Sequence, residues 1–400
     1  MPIEIPFGLN EVNADWLTAV LTNSGWLENG RVVYVDVTKV GEGAGFMGHV
    51  AILNLTLDPP ADAPLSLVLK IPTETDNRHL GQAVGVYERE IRFYQELAPG
   101  LQIRSPGHIY SAMDNASDPA KTVRALELLD RMPLWLIRRV LPLMSWLGGR
   151  STSRYVLLLE NLQAYRIGDQ VGGCSLSEAR QALDAMSRMH AQYWDGKGLE
   201  SFPWLLSLSL AFKPFHMMYL QSVEQFKSAH GSWLTQKQMA VLDWLKVHYV
   251  ELTRELVGFP ETLIHGDFRL DNLCFDDSRG EVVLFDWQTL GRGPCGFDLA
   301  YFLSASFAEP LSTEQTNELI TYYGERLAHW GVAMSFSELR WQYEAGLLAV
   351  LHRVVPAQFQ DMLDLGEGRG IDLIDSWLER GFRELERVDL DRVLVGPAVG

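Results

Sequence analysis

The chain has 400 residues, 47% of them hydrophobic and 21% charged, as expected for a globular protein large enough for two domains. Its 34 basic and 51 acidic residues give a formal net charge of −17, which argues against a nucleic-acid partner because phosphates would be repelled. Three scattered cysteines, no leader pattern and no apolar run of about 18 residues predict reduced thiols, no membrane span and a cytoplasmic location.

The first part of the chain is predicted to form a small antiparallel sheet with one helix beside it. The predicted elements are a helix at 14–27, strands at 31–40, 49–57 and 64–72, a helix at 82–97, and strands at 107–113 and 153–162. The first helix opens at Asn13 or Asp15. From residue 176 onward helical patterns dominate, interrupted by short strands around 262–286.

These patterns predict an α+β protein of two lobes. Residues 1–162 would form a small antiparallel-sheet lobe that binds nucleotide, with an apolar insertion at about 120–150. Residues 163–400 would form a larger, mostly helical lobe that carries the reactive loop and the acceptor site.

A glycine-rich turn, GEGAGFMG, lies at 41–48 between the first two strands. Its glycines are Gly41, Gly43, Gly45 and Gly48. A dinucleotide-binding fold would need them between a strand and a helix, so that interpretation is excluded. A loop between two strands can instead fold over nucleotide phosphates, where the missing side chains admit the backbone N–H groups. A plain glycine-rich hairpin is the alternative.

Lys70 follows a buried strand pattern, and Glu90 lies twenty residues later on the predicted helix. The two could pair across the small lobe, with the lysine holding nucleotide phosphates. A lysine that reaches solvent, or a solvated surface pair, explains them equally well in isolation. Glu88 would face another side of the helix.

The stretch HGDFRLDN at 265–272 carries the most specific signal. Asp267 can accept a hydroxyl proton, and the amide oxygen of Asn272 can bind magnesium. The following strand delivers Asp286 in LFDWQ, a second carboxylate that can bridge a metal to phosphate. His265 is expected to organise the loop through hydrogen bonds. A zinc site is disfavoured because no second histidine stands nearby at metal-ligand spacing.

These motifs resemble the aminoglycoside-phosphotransferase and choline-kinase-like family, the small-molecule branch of the protein-kinase fold. HGDFRLDN resembles its catalytic loop, FDW its metal-binding aspartate, GEGAGFMG its phosphate loop, and VLK and REIRFY its lysine and helix glutamate. MHAQYW at 189–194 and GPCGFDLAYF at 293–302 resemble segments of the branch related to ecdysteroid kinases. Together the motifs cover residues from about 35 to 305.

The resemblance implies a protein-kinase-like bilobal fold, ATP and Mg²⁺ as cofactors, and catalytic roles for His265, Asp267, Asn272 and Asp286. It adds an adenine-binding hinge formed by the backbone of Glu160, Asn161 and Leu162, and a bracing role for Asp298. In the glycine loop, Ala44 and Gly45 stand where relatives often carry a polar residue, so the loop is expected to contact phosphate through its backbone.

Three classes of protein compete for this sequence. A protein kinase is disfavoured because only eleven residues separate Asp286 from Asp298 and no A-P-E motif follows, which leaves little to dock a peptide. An inactive nucleotide-binding module is disfavoured because Lys70, Glu90, Asp267, Asn272 and Asp286 are all present. A small-molecule O-phosphotransferase remains.

The acceptor is predicted less directly. The helical lobe is rich in apolar residues at 212–220 and 339–355, and most of these are expected to be core. We expect a largely apolar alcohol such as a steroid, a terpenoid or a hydroxyacyl thioester. An aminoglycoside, a macrolide or a choline-like molecule is the alternative.

The insertion at 129–150 combines bulky apolar residues with arginines. It could be a helical hairpin buried against its own lobe. The alternatives are a lid of Leu134, Trp135, Ile137, Leu141 and Trp146 over an apolar acceptor, a homodimer contact or a membrane-surface contact.

Overall fold

A computed structural model of the chain describes residues 3–40, 48–60, 65–73, 78, 81–82, 85–140, 153–357 and 369–396. Gly41, Gly43 and Gly45 of the glycine-rich turn lie outside these residues, and Gly48 opens the second strand. Leu141 and Trp146 of the insertion also lie outside them.

The first lobe is built on a five-stranded antiparallel sheet in the order β1-β2-β3-β5-β4. The strands are β1 Arg31–Lys39, β2 Gly48–Asp58, β3 Leu65–Pro72, β4 His108–Met113 and β5 Tyr155–Glu160. All five lie where the alternating apolar patterns predicted them. One face of this sheet buries an apolar cluster that includes Leu53, Leu69 and Leu158.

Two helices flank the sheet. Helix α1 (Ala14–Asn23) begins at Asn13, whose side chain accepts the backbone N–H of Trp16, and it buries Leu17 and Val20 against the sheet. Helix α2 (Val86–Arg92) continues as a π-helical turn over Phe93–Leu97. The pattern at 82–97 therefore predicted the second helix correctly, but not its change of winding.

Between β4 and β5 the chain forms helix α3 (Pro119–Arg131), and residues 134–140 are helical again. The carboxylate of Asp130 accepts the backbone N–H groups of Ala211 and Lys213 at 2.7 and 3.1 Å. These residues lie at the first turn of helix α5 (Phe212–His230), so the insertion packs against a helix of the second lobe. This differs from a hairpin buried only against its own lobe.

The second lobe is mostly helical. Its helices are α4 Leu176–Gln192, α5 Phe212–His230, α6 Gln236–Leu256, α7 Gly296–Ala305, α8 Thr313–His329, α9 Phe336–Ala357, α10 Arg369–Leu385 and α11 Leu390–Val395. Its strands are β6 Arg166–Ile167, β7 Thr262–Ile264, β8 Leu273–Asp276, β9 Glu281–Leu284 and β10 Gly291–Gly293. Short 3₁₀ turns lie at Leu270–Asn272 and Trp287–Thr289.

The two apolar stretches that were expected to be mostly core are mostly buried. In α5 these include Met217 and Tyr219, and in α9 they include Trp341 and Leu351. They belong to one large cluster that holds the helices of the second lobe together. The fold is therefore α+β with a sheet lobe and a helical lobe, as predicted. The division after Leu162 stays a prediction.

None of the helices in the described ranges combines the length and the apolar composition that crossing a bilayer requires.

Candidate functional site

Lys70, Glu90 and Asp286 meet between the lobes. The Nζ atom of Lys70 lies 2.7 Å from Oε1 of Glu90 and 2.7 Å from Oδ1 of Asp286. The lysine comes from β3, the glutamate from α2, and the aspartate from the turn after β9. The structure thus brings together three residues that are up to 216 positions apart in sequence.

Helix α2 is held against the turn that follows Asp286. The amide of Gln288 donates to Oε2 of Glu90 at 3.3 Å, and the guanidinium of Arg89 donates to the carbonyl of Gln288 at 2.9 Å. Glu88 faces elsewhere, as expected, and pairs with Arg92 at 2.8 Å. The orientation of α2 is therefore coupled to the position of Asp286.

Lys70 is held as a cation by its two carboxylate partners. Burial of its side chain opposes the charge, but attraction to Asp286 and Glu90 outweighs burial and raises the pKa of Lys70 above its ordinary value. The ammonium group is therefore charged throughout the physiological pH range. Two carboxylates around one cation leave a net negative charge that favours a second cation nearby.

The reactive loop is fixed to helix α7 through Asp298. The buried carboxylate of Asp298 accepts the backbone N–H groups of His265 at 2.7 Å and of Gly266 at 2.9 Å. Gly266 has φ +79, and a Cβ atom there would lie 2.3 Å from the carbonyl oxygen of Thr289, so only glycine fits. This is the bracing geometry that the family resemblance implied for Asp298.

Asp298→Ala is expected to destabilise the protein and to lower turnover. Two buried N–H groups would lose their acceptor, and each such loss costs about 1–3 kcal/mol. Thermal unfolding of the variant would measure the change, with Asp277→Ala as the exposed-carboxylate control. An unchanged melting temperature would show that Asp298 does not hold the loop.

The ring of His265 is buried and engaged. Its Nε2 atom lies 3.0 Å from the carbonyl oxygen of Phe285, and its own backbone carbonyl accepts the hydroxyl of Thr289 at 3.1 Å. A nitrogen that faces a carbonyl must donate, so the ring joins the reactive loop to the turn that carries Asp286. Its position fits an organiser of the loop better than a base.

Asp267 lies at the centre of the loop. Its Oδ2 atom accepts the side-chain amide of Asn272 at 2.9 Å and the Nε–H of Arg269 at 3.1 Å. Burial opposes ionisation of Asp267, but the charge of Arg269 and a hydrogen bond from Tyr301 outweigh it and lower the pKa of the carboxyl. The aspartate is therefore ionised and oriented.

Arg269 and Tyr301 were not predicted as site residues. Arg269 stands inside the motif, where an arginine two positions after a carboxylate could have been noticed as its partner. Tyr301 lies one helical turn after Asp298 on α7, so the helix that braces the loop also brings this phenol to Asp267.

Tyr301→Phe is expected to shift the acid limb of the pH–rate profile. A base works only when ionised, so activity is lost as the pH falls through the pKa of Asp267. The hydrogen bond from Tyr301 helps to keep that pKa low, and its removal should move the acid limb to higher pH. A profile identical to that of the unsubstituted protein would contradict this contact.

Asn272 and Asp286 offer oxygen atoms to a divalent cation. The Nδ2 group of Asn272 donates to the carbonyl and the carboxylate of Asp267, which leaves its Oδ1 oxygen for another partner. Asp286, at φ +63, uses Oδ1 toward Lys70 and has a second oxygen. Across the described ranges no group of three or more His, Cys, Asp or Glu side chains could hold a metal ion. Two protein oxygens suit Mg²⁺, which takes its remaining ligands from phosphate and water.

The segment after β5 joins the lobes. The side chain of Glu160 accepts hydrogen bonds from the guanidinium of Arg104 at 3.0 Å and from the backbone N–H of Gly107 at 2.9 Å. Both partners of this carboxylate therefore lie within the protein. Asn161 donates to Ser66 at 2.7 Å. Leu162 packs with Cys274 of β8 and Val283 of β9. The predicted hinge residues therefore lie between the sheet and the strands that carry the reactive loop.

The architecture is a protein-kinase-like fold. The chain is similar in fold to choline kinase from Cryptosporidium parvum Iowa II, with 10% sequence identity, coverage of 91% of this chain and 94% of that chain, and a TM-score of 0.50. The model of the ecdysteroid kinase-like family matches residues 42–334, and the chain belongs to that family.

Two curated relatives match shorter parts of the chain. A probable acyl-CoA dehydrogenase, IBR3 from Arabidopsis thaliana, is 29% identical over 126 residues, which is 30% of this chain and 14% of that protein. Acyl-CoA dehydrogenase family member 10 from Mus musculus is 34% identical over 90 residues, which is 21% of this chain and 8% of that protein. The matches thus span less than one sixth of either relative.

Proposed function

We propose that the protein is an ATP-dependent O-phosphotransferase that moves the γ-phosphoryl group of ATP to a hydroxyl of a largely apolar small molecule. The observation that carries the proposal is a pair of linked contacts: Lys70 binds both Glu90 and Asp286, and Asp267 binds Asn272, whose backbone carbonyl accepts the N–H of Phe285 next to Asp286. An inactive nucleotide-binding relative would have no need for a carboxylate held ionised beside a potential metal ligand.

ATP would lie between the lobes. The adenine would bind the backbone of Glu160–Leu162, and the N–H of Leu162, which has no hydrogen-bond partner among the described residues, supports this position. Lys70 would hold the phosphates, with Glu90 fixing the direction of the ammonium group. Gly48 and the glycines that precede it would cover the phosphates with backbone N–H groups.

Asn272 and Asp286 would hold Mg²⁺. When bound, the ion would neutralise phosphate charge and orient the terminal phosphoryl group. The protein's part is to fix the two oxygens. Asn272 is oriented by Asp267, and Asp286 is oriented by Lys70.

Asp267 would receive the proton of the acceptor hydroxyl. As that oxygen bonds to the γ-phosphorus, the bond from the γ-phosphorus to the bridging oxygen breaks and ADP leaves. Arg269 keeps the carboxylate ionised and holds one of its oxygens in place. His265 and Asp298 would hold the loop without contacting the reacting atoms.

The surroundings of Asp267 favour an apolar acceptor. The ring of Tyr301 lies beside those of Trp377 and Phe297, with centroids 5.7 and 6.4 Å away. Both neighbouring rings are nearly fully buried, so they make the region around Tyr301 apolar, which suits a hydroxylated hydrocarbon chain or ring system. Because two relatives are acyl-CoA dehydrogenases, we favour a hydroxyacyl thioester over a steroid or terpenoid alcohol. An aminoglycoside, a macrolide or choline is the alternative.

A panel of acceptors tests the proposal. The purified protein would be incubated with Mg·ATP and, separately, hydroxyacyl thioesters, terpenoid alcohols, sterols, an aminoglycoside, a macrolide and choline, and the products would be read by mass spectrometry. We expect a phosphate adduct on an apolar alcohol and none with Asp267→Asn. Phosphorylation of the aminoglycoside alone would reverse the choice of acceptor. Tight ATP binding without any adduct would favour an inactive relative.

A cytoplasmic location and a homodimer are proposed from the sequence alone.

A further inference from the structure

The exposed face of residues 121–139 is basic within an acidic chain. Residues 118–139 carry five cations and three carboxylates, against a net charge of −17 for the whole protein. Two of the three carboxylates serve as helix caps: Asp118 caps α3, and Asp130 accepts N–H groups at the first turn of α5. Asp118 also lies 3.5 Å from Lys121, so Glu127 is the carboxylate of the segment that remains to offset the arginines.

The cations of α3 share one stripe with a leucine. Lys121, Arg124, Leu128 and Arg131 are spaced by three, four and three residues, which places them on one side of a helix. All four are exposed, and 57% of Leu128 is accessible to solvent. The neighbouring Leu129 is buried, so the stripe faces away from the protein.

The next helical segment, residues 134–140, is also basic and partly exposed. Trp135 is 63% exposed, and the guanidinium of Arg139 lies 5.9 Å from the centre of its ring. Arg138 is also exposed, whereas Ile137 between them is fully buried and anchors the segment. An exposed tryptophan beside arginines is the composition of segments that lie at a bilayer surface.

The arginines of this surface are not paired with carboxylates of the described residues. Lys121 lies 3.5 Å from Asp118, but Arg124, Arg131, Arg138 and Arg139 form no ion pair with any residue in the described ranges. Ionic attraction within the protein therefore does not account for these four exposed cations. An external anionic partner would satisfy them.

We propose that the exposed face of residues 121–139 binds the surface of an anionic lipid bilayer. The arginines would lie against the headgroups, and Trp135 and Leu128 would enter the interfacial layer. Two isolated apolar side chains are too few for a stable protein interface, which buries roughly 800 Å² on each partner. A nucleic acid has no apolar interfacial layer into which Leu128 and Trp135 could insert, whereas a bilayer has one. The proposal does not depend on the catalytic activity.

Vesicle binding tests this surface. The full chain would be floated with vesicles of phosphatidylcholine alone and with vesicles of equal parts phosphatidylcholine and phosphatidylserine, at low and at physiological salt. We expect binding to the anionic vesicles only, weaker at higher salt because the charges are screened. Each arginine near an anionic surface contributes about fivefold to the partition coefficient, so Arg124→Gln with Arg131→Gln should lower it roughly 25-fold.

Matched variants separate the contributions. Trp135→Ser should also weaken binding, whereas Val247→Ser, which changes an apolar residue that is 73% exposed on α6, should not. Arg254→Gln on the same helix is the charge control. Circular dichroism would establish that each variant is folded. Binding that is absent, or equal for neutral and anionic vesicles, would overturn the proposal. Self-association that is lost in the arginine variant without any vesicle binding would assign the surface to a second copy instead.

Discussion

Asp267→Asn is expected to lower kcat by about 10² to 10⁴-fold while the affinity for ATP is nearly unchanged. Loss of a general base removes a contribution of this size. The asparagine keeps an oxygen for Arg269 and Asn272, so the loop should retain its shape. In the proposed site, the nucleotide contacts would come from Lys70 and the hinge and would not include Asp267.

Steady-state kinetics and calorimetric titration with an ATP analogue would measure the two effects. Asp271→Asn is the control for loop charge, because its carboxylate lies in the same loop, binds the backbone of Gln170 and is 3.5 Å from Arg269. Turnover close to that of the unsubstituted protein in Asp267→Asn would eliminate Asp267 as the base. Equal losses in both variants would indicate that loop charge, rather than proton transfer, decides the rate.

Asp286→Ala is expected to abolish the stimulation of ATP binding by Mg²⁺ and to lower turnover by at least about 10² to 10³-fold. In the proposed site, the variant removes one of the two protein oxygens that would hold Mg²⁺. Lys70 would keep Glu90 as its partner, so the lysine would not become an unpaired buried charge. The free energy of unfolding should therefore change much less than the activity.

Titrations with the nucleotide in the presence of Mg²⁺ and of a chelator would separate metal binding from nucleotide binding. The unsubstituted protein should bind more tightly with Mg²⁺, and the variant should bind equally in both conditions. Asp277→Ala, which changes an exposed aspartate paired with Arg166, should behave as the unsubstituted protein. A variant that retains its dependence on Mg²⁺ would move the metal away from Asp286.

The strands and the order of the site motifs could be predicted because both depend on local sequence. Apolar alternation determines which face of a strand is buried, and the five strands of the sheet were found from it. The pairing of Lys70 with Glu90 could only be suggested, because it depends on the angle at which α2 meets β3. In the structure that angle is set by Gln288 and Arg89, two residues without a motif of their own.

Tyr301 shows why part of the site was missed. Its phenol reaches Asp267 because α7 is tied to the reactive loop through Asp298, and no sequence spacing reveals where a helix lies relative to a distant loop. Once Asp298 was assigned to the loop, the position one turn later was the signal that could have identified Tyr301. Asp130 is similar, since its contacts at the start of α5 follow from packing between the lobes.

The sequence showed that the insertion is rich in apolar and basic residues, but it did not show that the segment packs against α5 of the second lobe. Its apolar and basic residues were noticed, and α3 does sort them, with Leu129 inside and Arg124 outside. A lid over the acceptor remains a prediction. Of its five residues, Trp135 is exposed, Ile137 is buried, and two lie beyond the described ranges.

The most direct test of the account follows the acceptor's own oxygen. An apolar alcohol that is phosphorylated by the protein would be prepared with a heavy-oxygen label in its hydroxyl group, and the product would be analysed by mass spectrometry and phosphorus NMR. We predict that the label is retained in the oxygen atom that bridges carbon and phosphorus in the product, that one ADP forms for each product, and that Asp267→Asn forms neither. Loss of the label, or ATP hydrolysis without a phosphorylated alcohol, would contradict phosphoryl transfer to a hydroxyl.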